Sequence, residues 1–264
     1  MNNRYDAMFA AAADRSEGVF GGFVMLGDPD LETSAAMLDA LVAGGADMIE
    51  VGIPFSDPVA DGPVIQAAAV RALEAGVRTD DCLQLLREFR ARHAHVPVGV
   101  LTYANIVAAK GREAFCEALA VAGVDSLLIA DVPSLEAAPY VEACRTAGIA
   151  PVMIAAPNSS DEQLDRIAAM GAGYTYCVAR AGVTGQRQDM ALDHGELFAK
   201  LEQRGAAPPV LGFGISTPAQ VRQGLGAGAA GVISGSAIVA AAADGDDPAS
   251  AVRALVSDLK AGTR

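Results

Sequence analysis

The stretch MIEVGIPFSDPVADGP, Met48 to Pro63, begins as a strand and ends as a loop that no regular element can occupy. Met48-Ile49-Glu50-Val51 reads as a short buried strand. Alternate residues of a strand face opposite sides, so Glu50 shares a side with Met48 while Ile49 and Val51 face the other way. A carboxylate thus sits where both faces are apolar. An unpaired ionised carboxylate buried there costs several kcal/mol, so Glu50 needs a partner or must hold its proton near neutral pH, which is how a general acid/base is made. Gly52, Pro54, Pro58, Gly62 and Pro63 then force a stiff loop that carries Asp57 and Asp61.

The strand followed by helix recurs along the chain. VFGGFVML (19–26) precedes a helix over 31–43, and the Glu50 strand precedes helices reaching Arg92. VPVGVLTY (96–103) precedes a helix over 112–122, SLLIAD one over 134–147, and IAPVMIAAP one over 160–170. GYTYCVAR precedes a helix over 193–204, PVLGFG one over 218–225, and GVISGS the last helices. A weak echo closes the helices on small residues and glycine before the next strand: AGGAD at 43–47, AGVD at 122–125, GAG at 171–173, GAGAAG at 226–231.

Eight such units in 264 residues give 33 residues per unit, a natural βα repeat. The pattern predicts a single domain over 1–264, a closed (β/α)8 TIM barrel with an extra N-terminal helix and a short phosphate-binding helix after strand eight. An open doubly wound sheet is the alternative. It lacks support, since no G-x-G-x-x-G opens a first helix. In a barrel, chemistry belongs at the C-terminal ends of strands, where Glu50, Asp61, Tyr103, Asp131, Tyr176, Gly214 and Ser236 fall.

Composition narrows the function. A net charge of −13 with pI near 4.6 argues against tracking a nucleic-acid backbone, so any phosphate must be held locally. The hydrophobic fraction is 52% without tryptophan, and much of it is alanine. The longest apolar run, near 229–243, is interrupted by Gly and Ser and is too short for a bilayer. The N-terminal MNNRYDAMFAAAADR reads as an amphipathic helix rather than a secretory signal, which points to the cytoplasm. Cys82, Cys116, Cys144 and Cys177 contain no C-x-x-C pair and read as small core residues, and the three histidines form no helical ligand pair, so no metal is expected.

Three glycine-rich loops follow the late strands: Ala181 to Gly185, Gly212 to Ser216, and Ser234 to Ala237. Barrels commonly bind phosphate through backbone N–H groups of such loops and of a short helix N-terminus. The run GSAIVAAAA supplies such a helix, and Ser236 can add a hydroxyl. The long loop from about Arg180 to Asp193 reads as a lid over the mouth, with Gly182 and Thr184 near its start.

These strings together resemble the tryptophan synthase alpha subunit family over essentially the whole length. The carrying residues are LGDPD at 26–30, ADMIEVGIPFSDPVADGPVIQ at 46–66, YAN at 103–105, DSLLIADVP at 125–133, GYTY at 173–176, RAGVTG at 180–185, GFGIS at 212–216 and GVISGSAIV at 231–239. The resemblance implies a lyase that cleaves indole-3-glycerol phosphate to indole and glyceraldehyde 3-phosphate. It implies Glu50 as acid/base, Asp61 as acceptor for the indole N–H, and Tyr176 as the residue that orients Glu50. It also implies an indole pocket of Phe23, Leu101, Leu128, Ala130, Ile154 and Phe213, with the phosphate at Gly185, Gly214, Gly235 and Ser236.

The family's partner is the beta subunit, which carries pyridoxal phosphate and receives the indole; an alpha2-beta2 tetramer is implied, and this chain needs no cofactor. The docking face would include Phe55, Asp57, Pro58, Asn105 and Pro133. Two departures stand out: Met25 where a threonine is expected, and Ala155-Ala156-Pro157, blander than the family's usual segment. Three other readings share the barrel. A phosphosugar isomerase would not need so apolar a pocket, a silent regulatory subunit would have lost Glu50 or Asp61, and a free-standing indole-releasing lyase would share the whole site.

Overall fold

The computed structural model describes residues 4–178, 194–212 and 214–264. Helix α1 (Arg4–Asp14) precedes β1 (Val19–Met25); α2 (Leu31–Ala43) leads to β2 (Met48–Gly52); α3 (Pro63–Glu74) and α4 (Thr79–Arg92) lead to β3 (Val98–Thr102). Next come α5 (Ala104–Lys110), α6 (Arg112–Val121), β4 (Ser126–Ile129), α7 (Ala138–Ala147), β5 (Ala150–Pro151), β6 (Met153–Ala155) and α8 (Asp161–Met170). The chain ends with β7 (Thr175–Val178), α9 (Gly195–Gln203), β8 (Pro209–Gly212), α10 (Pro218–Gly226), β9 (Gly231–Ser234), α11 (Ser236–Asp244) and α12 (Pro248–Ala261).

All strand pairs are parallel, in the order β5-β4-β3-β2-β1-β9-β8-β7-β6. The two ends of that order are halves of one strand interrupted at Val152, whose N–H still donates to Leu127 O at 2.9 Å. The sheet therefore curls back on itself as a (β/α)8 barrel. The predicted fifth strand is real but broken into β5 and β6. Two other boundaries differ from the sequence reading. The segment from Ser134 forms a turn, with Glu136 N–H on Pro133 O, so α7 starts only at Ala138; and α5 inserts a short extra helix before α6.

The strand period sorts side chains into two cores. Ile49, Val51, Val98, Val100 and Leu127 face the helices, while Val19, Phe23, Met25, Met48, Leu128, Val152, Tyr174, Tyr176, Val210 and Ile233 fill the barrel interior. Helix α1 turns Tyr5, Met8 and Ala12 into that interior and plugs its N-terminal end.

The echoed glycines stop helices: Gly45, Gly123 and Gly228 adopt φ of 100°, 79° and 107°, a region that side chains disfavour. The acids ending two of the echoes fasten strands. Asp47 accepts from Phe20 N–H and Lys260, and Asp125 accepts from Val98 N–H, Arg90 and Arg4, all within 2.8 Å. Among the described residues no helix is long and apolar enough to cross a membrane.

Candidate active site

Glu50 is the third residue of β2, registered between Phe23 of β1 and Gly99 of β3, and is 1% exposed. It points into the barrel, as its alternation with Ile49 and Val51 requires. Burial pushes its pKa up to about 7; the Tyr174 hydroxyl, donating to Glu50 Oε1 at 2.7 Å, opposes this, and the charge of Asp61 adds to it. Such a group exchanges a proton readily at neutral pH.

Beneath it lies a buried polar layer that the sequence reading missed. The Tyr5 and Tyr174 rings lie 5.4 Å apart, and the Tyr5 hydroxyl meets Ser126 Oγ at 2.7 Å. Gly99 makes room for this layer: a Cβ there would lie 2.7 Å from Ser126 Oγ and 3.1 Å from the Tyr5 hydroxyl.

The hydroxyl that holds Glu50 thus belongs to Tyr174, where the sequence reading had assigned the role to Tyr176. Tyr176 sits one pleat nearer the mouth. Burial, together with the charges of Glu50 and Asp61, pushes its phenol far above the ordinary value. Its ring occupies the space over Gly212, where an added Cβ would fall 2.2 Å from it.

Asp61 follows the proline loop and is also buried. Its N–H donates to Pro58 O, its carbonyl accepts from Gln66, and Gly62 then opens α3 with Pro63 at its first position. Burial raises its pKa, and a hydrogen bond from the Tyr103 hydroxyl pulls it down. The same hydroxyl accepts from Ala60 N–H at 3.3 Å, so Tyr103 fixes the loop as well as the carboxylate. Its position just after β3 placed it among the mouth residues in the sequence, but without a role.

The apolar wall is Phe23 and Leu128, both buried, with Leu101, Ala130 and Ile154 half-buried toward the mouth. Phe213 lies outside the described residues, as do Gly182, Thr184 and Gly185. At the other side Ser234 Oγ donates to Ile215 O at 2.6 Å and draws the Gly214 loop beside Gly235 and Ser236. Gly214 takes φ of 76°, and α11 starts at Ser236 with no side-chain cap. Its first N–H groups have no intrahelical acceptor, and the helix dipole favours an anion there. A Cβ on Gly235 would lie 3.5 Å from Phe23, so this anion-ready turn borders the apolar wall.

Around the mouth, Asp57, Asn105 and Pro133 are exposed and Phe55 and Pro58 half-buried. The sequence reading passed over Val59 and Leu135, which add apolar surface at 69% and 71% exposure. Asp131 joins two mouth loops by accepting from Ala104 N–H at 2.8 Å. Met25 is buried inside, over Gly52.

A parallel barrel with a buried carboxyl near a second one, an apolar wall and a helix N-terminus at its mouth fits a lyase or isomerase acting on a phosphorylated, largely apolar substrate. Comparison with known proteins narrows this class. The family model "Tryptophan synthase alpha chain" matches residues 9–262, and the chain belongs to that family. The alpha chain of Shewanella amazonensis is 52% identical over 237 residues, covering 90% of this chain and 89% of that one. That of Escherichia coli is 48% identical over 99% of both. A solved tryptophan synthase structure of Mycobacterium tuberculosis superposes with a TM-score of 0.90 at 34% identity, covering 100% of this chain and 99% of that one.

Proposed function

We infer that this chain, acting as one barrel domain, cleaves indole-3-glycerol phosphate to indole and glyceraldehyde 3-phosphate, the lyase step of tryptophan synthase. The observation that carries the reading is the buried Glu50, poised near pH 7 opposite Asp61. The C–C bond to be broken links indole C3 to a carbon bearing a hydroxyl. Protonated Glu50 gives its proton to C3, which places positive charge on the ring nitrogen. Asp61 accepts the hydrogen bond of the ring N–H and stabilises that charge. Glu50, now a carboxylate, takes the hydroxyl proton as the C–C bond opens to an aldehyde and indole. Microscopically, one carboxyl serves as acid and then as base.

Phe23, Leu101, Leu128, Ala130, Ile154 and Phe213 would hold the indole, and Gly185, Gly214, Gly235 and Ser236 the phosphate, with Gly182 and Thr184 in a covering loop. Tyr174 and Tyr176 orient the carboxyls. The chain needs no cofactor of its own. Its partner is a beta subunit carrying pyridoxal phosphate, docked on Phe55, Asp57, Pro58, Asn105 and Pro133 in an alpha2-beta2 assembly in the cytoplasm. The exposed Val59 and Leu135 on the same rim support that docking face.

The test is indole release from indole-3-glycerol phosphate by the purified chain, beside Glu50→Gln, with and without a beta subunit. Slow release that the partner accelerates and the substitution abolishes is the expected result. Fast release without a partner would replace the subunit reading by a free-standing lyase. No release in either condition would overturn the function.

A further inference from the structure

Two of the four cysteines meet. α6 and α7 pack against one another outside the barrel, and each brings one thiol to their seam. Cys116 and Cys144, separated by 28 positions, lie with their sulfurs 3.8 Å apart, 1% and 2% exposed. Cys82 and Cys177 sit on other elements, α4 and β7.

Sulfurs at van der Waals distance become a disulfide only if they can swing about 1.8 Å closer, to the bond length of about 2.05 Å. Protein cores rarely leave space for such a swing. Here they do. A cavity of about 30 Å³ abuts Cys144, lined by Leu127, Val132, Tyr140, Val141 and Val152 among others. It exceeds the roughly 10–15 Å³ that one water-sized molecule needs, and its largely apolar wall favours a small neutral visitor over a charged one.

We propose that Cys116 and Cys144 are a modification site, a dithiol that a small neutral hydroperoxide converts into a reversible disulfide tying α6 to α7. One of the two sulfurs, as thiolate, attacks one oxygen of hydrogen peroxide; the O–O bond breaks and hydroxide leaves, taking up the released thiol proton as water. That cysteine is now a sulfenic acid. The other sulfur displaces its hydroxyl, which departs with the second thiol's proton as a second water, and the S–S bond forms. Two thiols lose two electrons, and one peroxide becomes two waters. Bulky disulfides such as oxidised glutathione do not fit the cavity. Small dithiols reverse the bond once local opening of the seam admits them.

The experiment uses the full chain, incubated with hydrogen peroxide, quenched, and digested without reduction. The expected result is loss of two of the four thiols, a linked peptide pair containing Cys116 and Cys144, and recovery of both thiols with dithiothreitol. Cross-linking constrains the unfolded chain, so the oxidised form should melt several degrees higher than the reduced form. Replacing either cysteine by serine, Cys116→Ser or Cys144→Ser, should stop the reaction at a sulfenic acid on the cysteine that remains, trapped by dimedone. Four intact thiols at peroxide levels that already oxidise methionines, or oxidation spread evenly over all four, would overturn the proposal. A lower melting temperature of the linked form would show that the seam does not accommodate the bond, and would overturn it too.

Discussion

Glu50 carries a stability cost whose sign can be worked out. Its pKa is about 7 in the fold against 4.5 for the free side chain. Between those values the folded chain holds the proton and the unfolded chain has lost it, so stability falls as pH rises through that window and the loss is complete above it. At 1.36 kcal/mol per unit the loss amounts to about 3 kcal/mol. Glu50→Gln removes the ionisation, so it should stabilise the chain by up to about 3 kcal/mol at alkaline pH and by almost nothing at pH 4. Urea unfolding at the two pH values checks this; equal effects at both would mean that Glu50 is not held neutral by burial. The same substitution should lower indole release by on the order of 10²–10⁴-fold. Tyr174→Phe removes a donor that favours the ionised form, so it should raise the Glu50 pKa further and move the corresponding limb of the rate profile to higher pH. A loss of roughly tenfold in kcat corresponds to that single hydrogen bond. A profile that keeps its midpoint would reduce Tyr174 to a packing role.

Among the elements, α11 is the one whose beginning matters most. Gly235→Asp places a negative charge at the end proposed for the phosphate, and it should raise KM for indole-3-glycerol phosphate at least about tenfold. The fold should survive, because Gly235 has φ of −119° and its added Cβ would meet Phe23 only at 3.5 Å. Unchanged KM would remove this turn from the phosphate site. The elements also show what a sequence can convey. Glu50 was legible because a strand has period two, and one carboxylate among Met, Ile and Val leaves one reading. The choice between Tyr174 and Tyr176 was not, since both share a face and only the depth of β7 in the barrel decides which hydroxyl reaches Glu50. Tyr5 and Ser126 stand 121 positions apart, and closure of the barrel, rather than any local pattern, brings them together. The break at Val152 had one local signal, Pro151, which has no N–H to give to a strand ladder, but the uniformly apolar run IAPVMIAAP masks it.

At the scale of the whole molecule, the mouth connects its rim to its chemistry through one stacked pair. Phe55, on the rim, lies against the Tyr103 ring with centroids 5.3 Å apart and planes 29° from parallel. The Tyr103 hydroxyl in turn holds Asp61 and Ala60 N–H. A partner that presses on Phe55 therefore presses on the residue that fixes Asp61, with no other element in between. The rim also offers the exposed apolar side chains Val59 and Leu135, and its loops are braced by Asp131 on Ala104 N–H, so a docked surface would meet a frame rather than loose chain. This makes a specific forecast for the two-subunit system. Phe55→Ala should reduce the acceleration given by a beta subunit by roughly five- to tenfold, an amount typical of a coupling energy near 1 kcal/mol. The rate of the isolated chain should fall less, since Asp61 retains its Tyr103 hydrogen bond. Titrating each variant with the partner separates weaker docking, which more partner overcomes, from weaker coupling, which persists at saturation. Equal losses with and without partner would show that Phe55 supports the site itself and transmits nothing from the rim.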